Sequence, residues 1–282
     1  SRMNRGIIMV AIHRLHPSTS SPDAPHFSWR EPSTWKYLWL TVDPHYDEGD
    51  GFHTRSGARC EKGGYRKSNQ DRCYVDATRG LYFVVDGMGG AAGGSEASQV
   101  LLETLPAELE QRLDGGPQDP VELQDAVQAA FRAARRRMVE MTRRHPEFRN
   151  MGATVALAIV AGDMLHVTHV GDARVYLERR NELQRLTTDE TFVQMLVEAG
   201  ICTEEEARTN PKRHFILNWV GPEGLISPPQ LKAIPLRSGD HVMVCTDGLS
   251  ATLTDDKLLE AIHTESHPQA VADALVLRAL RD

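Results

Sequence analysis

Leu81-Tyr82-Phe83-Val84-Val85-Asp86-Gly87-Met88-Gly89-Gly90 is an apolar run that breaks into an aspartate and a string of glycines. A short continuous apolar run of this kind reads as a strand buried on both faces. The same event recurs twice, in His169-Val170-Gly171-Asp172-Ala173-Arg174 and in Met243-Val244-Cys245-Thr246-Asp247-Gly248-Leu249. A carboxylate at the end of a buried strand is costly unless it is paired or bound to a cation. Glycine beside it lets backbone and ligand approach closely. A fourth acid, Asp71, closes Arg66-Lys67-Ser68-Asn69-Gln70-Asp71. One Asp-Gly is a common turn; three at strand ends, with an arginine element, point to converging carboxylates. With backbone carbonyls and water, these suit a hard divalent cation such as Mg2+ or Mn2+. An arginine nearby suits a phosphate group.

Helices are expected on either side of these strands. Ser95 to Leu113 carries Ala97, Leu101, Leu105 and Leu109 on one face. Asp119-Pro120-Val121-Glu122 combines an N-cap, a proline at the first helical position and an early glutamate. The helix it opens puts Leu123, Val127, Phe131, Ala134, Met138 and Met141 on one stripe and Arg132, Arg135, Arg136, Arg137, Arg143 and Arg144 on a solvated face. Gly152–Val160 with Met164–Val170, and Val175–Leu177 with Leu183–Leu186, read as two hairpins. Thr191 to Ala199 reads as a helix stopped by Gly200, and Thr203 with Glu206 as a capping box. Residues 207 to 235 are loop-rich, His241–Thr246 is a strand, and Asp255–His263 and Pro268–Leu280 are closing helices. Runs of strands, then helices, then hairpins argue an α+β fold with antiparallel sheets rather than alternating βαβ units.

The chain has 282 residues, 40% hydrophobic and 25% charged, which is globular composition. Its 32 Lys and Arg against 39 Asp and Glu leave a formal charge of −7. That balance argues against a general nucleic-acid binder, whose affinity comes from neutralised phosphates. No apolar run is long enough to span a bilayer. Gly6 to Ile12, after Arg2 and Arg5, is too short for a signal segment and is ended by His13 and Arg14. Cys60, Cys73, Cys202 and Cys245 form no CxxC pair and no disulfide framework, which fits a reducing cytoplasm. Residues 1–50 hold three of the four tryptophans and little periodicity. They read as a partly disordered N-terminal extension, with Trp35–Val42 as a candidate docking strand.

In the order Arg66–Asp71, Asp86–Gly90, Gly152-Ala153-Thr154, Val170–Arg174, Leu186–Asp189 and Thr246–Leu249, the chain resembles the metal-dependent PP2C-type (PPM) serine/threonine phosphatases in their short bacterial form. The resemblance runs over 51–282. It implies a four-layer α-β-β-α sandwich, two antiparallel sheets face to face with helices outside. It implies that Asp71, Asp86, the carbonyl of Gly87 and Asp247 are metal ligands, that Arg66 binds phosphate, and that Asp172 with Asp247 forms a weaker third-metal site. Arg66, Asp71, Asp86 and Asp247 would then be the catalytic set. Two Mn2+ or Mg2+ ions would activate water against phosphoserine or phosphothreonine in protein substrates, opposing a Ser/Thr kinase, with no nucleic acid or membrane partner. Thr187–Val220 would be a variable flap that sets substrate choice.

This sequence departs from the pattern at Gln70, where the family has Glu, at Glu190, where a His is frequent after the Asp, and at Ala251, where many members carry another acid. The family continues past its last helix into an Asp-Asn motif on a closing strand, whose Asp binds metal. Asp282 lacks that context and takes no such role, so the domain reads as C-terminally truncated. A catalytically weak or inactive phosphoprotein-binding domain is the alternative. Two other readings compete. Cys60 to Arg66 fits the Cys-x5-Arg of a cysteine phosphatase, but three of the four cysteines match that pattern. Gly87 to Ala92 mimics a dinucleotide loop without βαβ surroundings. Arg174 reads as a structural ion pair and Trp219 as core or flap packing.

Overall fold

The computed structural model describes residues 7–15, 53–62, 69–113, 119–224 and 227–281. The elements are β1 (Ile7–Leu15), β2 (His53–Glu61), β3 (Asp71–Asp76), β4 (Leu81–Met88), α1 (Gly90–Arg112), α2 (Pro120–Arg144), β5 (Gly152–Ala161), β6 (Met164–Val170), β7 (Arg174–Arg179), β8 (Glu182–Arg185), α3 (Phe192–Glu198), α4 (Glu204–Thr209), β9 (Lys232–Pro235), β10 (His241–Cys245), α5 (Asp247–Ser250), α6 (Asp255–Thr264) and α7 (Pro268–Arg281). One sheet has the order β2-β1-β10-β7-β8 and the other β3-β4-β5-β6-β9. Every pairing in both is antiparallel.

Strand alternation builds the layers. Leu81, Phe83 and Val85 of β4 join α1 and α2 in one outer core, with Leu101, Leu105, Val127 and Phe131. Tyr82 and Val84 turn inward to meet Val175, Leu177, Val242 and Val244 from the facing sheet. The opposite face of that second sheet offers Tyr176, Met243 and Cys245 to Leu258, Leu275 and Val276 of α6 and α7. These are the expected four layers, helix pair, sheet, sheet, helix pair, and strands apolar on both faces are what they require.

The helices follow the expected stripes, with local differences. Asp119 caps α2, its Oδ1 accepting from the N–H groups of Val121 and Glu122, both at 2.8 Å. On α2, Arg135 is half-buried and donates to the carbonyls of Gly224 and Pro222, both at 3.1 Å, while Arg132, Arg136, Arg143 and Arg144 stay exposed. Helix α1 begins at Gly90, five residues before the expected Ser95, because its glycines serve packing rather than a loop. A Cβ on Gly87 would lie 2.1 Å from the carbonyl oxygen of Gly94, so strand and helix approach too closely for any side chain. The loop-rich 207–235 segment contains β9, a four-residue edge strand paired with β6.

The stretch at Ile7, read as part of an N-terminal extension, forms β1. It pairs along its whole length with β2, from Ile7 opposite Glu61 to Leu15 opposite His53, and on its other edge with β10, where Met9 faces Cys245. In this order β2 joins the sheet through β1 alone. Trp35–Val42 and Asp282 lie outside the described residues.

A proline at Val10, which faces Ala58 on one side and Val244 on the other, removes a ladder donor from the middle of a sheet. Val10→Pro is expected to lower the melting temperature by several degrees, each kcal/mol being worth about 2–4 °C at this size. A chain beginning at residue 53 that melts like the full one, followed by circular dichroism, would refute the central role of β1.

Candidate metal centre

The β3–β4 register places Asp71 directly opposite Asp86. Facing residues of an antiparallel pair have Cβ atoms ~5 Å apart, and like charges there repel. Asp71 is fully buried, 0% exposed. Its backbone N–H donates to Asn69 Oδ1 at 3.1 Å, which fixes where β3 begins. The hydroxyl of Thr246, at the end of β10 in the other sheet, donates to Asp71 Oδ2 at 3.3 Å. Asp247, the next residue, opens α5 and is 6% exposed. Asp172 is 5% exposed, in the turn between β6 and β7. It lines one groove with Asp247, Ser250 and Ala251. Gly87 follows Asp86 on β4, opposite Ala153. Arg66 lies outside the described residues.

The structure therefore brings the expected aspartates to the same ends of facing sheets: Asp71 with Asp86 by register, Asp247 to Asp71 through Thr246, and Asp172 to Asp247 across the groove. Among the described residues no group of three or more His, Cys, Asp or Glu side chains could hold a metal ion by itself. A small hard cation needs no such cage, because it keeps several waters and is bound through one or two carboxylates. A buried carboxylate, Asp71, opposite a half-buried one, Asp86, on facing strands fits that chemistry.

The neighbours hold these acids in place. Gln70 donates Nε2–H to the Gly90 carbonyl at 2.6 Å, tying the segment before β3 to the start of α1. Arg174 is the structural residue expected: Nε meets Asp189 Oδ1 at 2.8 Å, Nη2 meets Oδ2 at 2.6 Å, and Nη1 donates to the Tyr176 hydroxyl at 2.9 Å. Burial opposes its charge, yet the bonds to Asp189 and Tyr176 push its pKa well above the ordinary value. Trp219 is wedged between glycines: a Cβ on Gly152, Gly221 or Gly224 would come within 2.6, 2.9 and 2.7 Å of its ring. It therefore packs beside β5, as expected.

Two competing readings fall away. Burial raises the Cys60 thiol well above its usual pKa, the reverse of an activated nucleophile. Among the described residues every strand pairing is antiparallel, which leaves no βαβ unit there for a dinucleotide. Sequence reasoning missed Thr246 and Asn69 as positioning groups, although both sit inside the quoted motifs. It also missed the contacts of Asn218, for which the sequence carries no signal.

Comparison with known proteins places the chain. Residues 57–281 match the model of the protein phosphatase 2C family, and the chain belongs to that family. It is similar to the serine/threonine protein phosphatase PstP of Mycobacterium tuberculosis, 36% identical over 227 residues, covering 80% of this chain and 42% of the relative. The chain thus spans about two-fifths of that curated relative's length. The serine/threonine phosphatase stp of Listeria monocytogenes is 25% identical over 224 residues, covering 78% of this chain and 88% of the relative. A crystal structure of the M. tuberculosis phosphatase superposes with TM-score 0.70 at 35% identity, covering 78% of this chain and 89% of that one. Another, of the PstP catalytic domain with two manganese ions, gives TM-score 0.66 at 34% identity, with the same coverage, 78% and 89%.

The facing carboxylates make a prediction for Asp86→Asn. In millimolar Mn2+ the wild type should gain stability, about 2.7 kcal/mol at a hundredfold excess over Kd, and the variant should gain much less. Equal Mn2+ shifts for both proteins would remove Asp86 from the site.

Proposed function

We propose that this chain hydrolyses phosphoserine and phosphothreonine in proteins at a two-ion Mn2+ or Mg2+ centre. The observation that carries the reading is the opposition of Asp71 and Asp86, with Thr246 joining Asp71 to the strand end that bears Asp247. Family membership and the two manganese ions of a related catalytic domain support it. Asp71, Asp86, the Gly87 carbonyl and Asp247 would hold the two ions, and Asp172 with Asp247 a weaker third. Bound there, the ions supply Lewis acidity toward phosphoryl oxygens and a lowered water pKa.

The chain's own residues do the rest. Thr246 and Asn69 hold Asp71 in one orientation. Arg66 offers the fork that matches a phosphate dianion. The groove beside Asp172 and Asp247 continues past Arg185, Arg208, Arg213 and His214, which gives a phosphopeptide a partly basic wall to lie along. The substrates would be products of a Ser/Thr kinase. Four free thiols support a reducing compartment such as the cytoplasm, and among the described residues no helix is long and apolar enough to cross a membrane.

The test is turnover of a phosphothreonine peptide by residues 1–282 in millimolar Mn2+ and in EDTA. Turnover abolished by EDTA, and lowered at least ~100-fold by Asp247→Asn if that carboxylate holds an ion, is the expected result. Cys60→Ser should retain EDTA-sensitive turnover. A folded chain inert in Mn2+ would favour the phosphoprotein-binding alternative, and turnover indifferent to EDTA would sink the metal mechanism.

A further inference from the structure

The structure gives Glu190 four tasks at once. Its backbone N–H donates to the carbonyl of Gly171 at 2.8 Å, and its own carbonyl accepts from Leu217 N–H at 2.7 Å. Its Oε2 accepts from the Gly171 N–H at 2.8 Å. Both carboxylate oxygens lie 3.0 Å from Asn218 Nδ2, which donates to them. Asn218 is 5% exposed and also donates to the Ser227 carbonyl at 3.3 Å.

Both backbone polar groups of Gly171 are thus held by one residue, and Gly171 immediately precedes Asp172. Gly171 has φ +94°, and a Cβ there would strike the Thr154 side chain at 2.5 Å. The turn that aims Asp172 therefore has little freedom of its own and takes its position from Glu190. On the other side, Glu190 stands where the chain leaves for α3 and α4, and Leu217–Asn218 is where it returns. Thr191 bridges Ile216, and Phe192 N–H donates to the Phe215 carbonyl at 2.9 Å. One carboxylate thus joins the Asp172 side of the groove to both ends of the segment that forms its opposite wall, where Val193, Gln194, Arg213 and His214 lie.

We propose that Glu190 and Asn218 form a positioning pair that sets Asp172 and the groove wall relative to each other, and so governs how a phosphopeptide is held. The proposal rests on the phosphatase reading above. Neither residue touches the reacting atoms; each acts through Gly171 and through the 191–217 segment.

A donor–acceptor swap tests it. In Glu190→Gln, one of the two acceptor oxygens becomes an NH2 group, which then faces Gly171 N–H or Asn218 Nδ2 donor against donor. In Asn218→Asp, two carboxylates face each other. In the double variant, the amide introduced at position 190 can accept from Gly171 N–H through its oxygen and donate its N–H to the carboxylate introduced at position 218. Each single variant is expected to raise KM for a phosphothreonine peptide about tenfold, the effect of losing a hydrogen bond to a charged group. The loss on a small aryl phosphate should be clearly smaller, because that substrate does not need the groove wall and registers only the shift of Asp172. The double variant should recover part of the peptide KM, because the carboxylate at 218 regains its contact with position 190 but cannot donate to the Ser227 carbonyl. Amide hydrogen exchange at Gly171 gives a readout independent of turnover, with protection lost in Glu190→Gln and regained in the double variant. Single variants that keep the wild-type peptide KM overturn the proposal. So does a parallel loss on both substrates that follows melting temperature, which would mark a merely structural tie. A double variant no better than its worse parent also overturns it. A wild-type chain inert on both substrates overturns the phosphatase reading and this one with it.

Discussion

Two like charges face each other across β3 and β4, and the protein is arranged around keeping them there. Asp71 and Asp86 occupy one register position at the buried end of that pair. A one-residue slip would turn every side chain of β3 to the other face and take Val75 out of the inner core it shares with Tyr82 and Val84, so the packing of β3 also fixes the acids. Holding them together costs electrostatic energy, and the neighbouring elements supply the restraint. Asn69 sets the start of β3, Thr246 reaches Asp71 from the other sheet, and the glycines at 87 and 94 let α1 close against the strand. Asp71 and Asp86 thus sit at the ends of core strands rather than on loops.

The elements legible in the sequence share one physical trait. β4, β5, β6, β7 and β10 are buried on both faces or nearly so, and they announce themselves as continuous apolar runs between glycines or turn residues. α2 announces itself through Asp119 and its stripe. β2 and β3 do not, because His53–Glu61 and Asp71–Asp76 mix charged and small residues along strands that end their sheets. That Asp71, Asp86, Asp172 and Asp247 gather at neighbouring strand ends could be anticipated, because acids at the ends of apolar strands are expensive and therefore informative. Their supports could not, because a hydroxyl or amide side chain becomes a positioning group only through a partner far along the chain, as Thr246 does with Asp71, 175 positions away.

β1 is the sharper lesson. Its apolar run is visible in the sequence, but nothing local says what it pairs with. The family match begins at residue 57, yet the strand at Ile7–Leu15 lies in the middle of a sheet made otherwise from matched elements and β2. The gain is two ladders of backbone hydrogen bonds in place of two exposed edges. The register also has a direction. With Met9 opposite Cys245, the start of β1 lies at the end of β10 that leads into Asp247.

Asp247 and Asp172 therefore depend on different kinds of support. Asp247 follows β10, whose neighbours on both sides are strands, so any change that loosens β1 acts on it through the sheet. Asp172 sits on a turn whose glycine has a backbone conformation that other residues rarely adopt, and its restraint comes from a carboxylate and an amide at the root of α3 and α4. Strand-borne and turn-borne acids in one groove divide the work physically. The first is fixed by cooperative backbone pairing and yields only with the fold. The second is fixed by a few side-chain hydrogen bonds and can be retuned by single substitutions without disturbing the sheets. Glu190 belongs to the second kind, its hydrogen bonds running to Gly171, Leu217 and Asn218, outside the strands of both sheets.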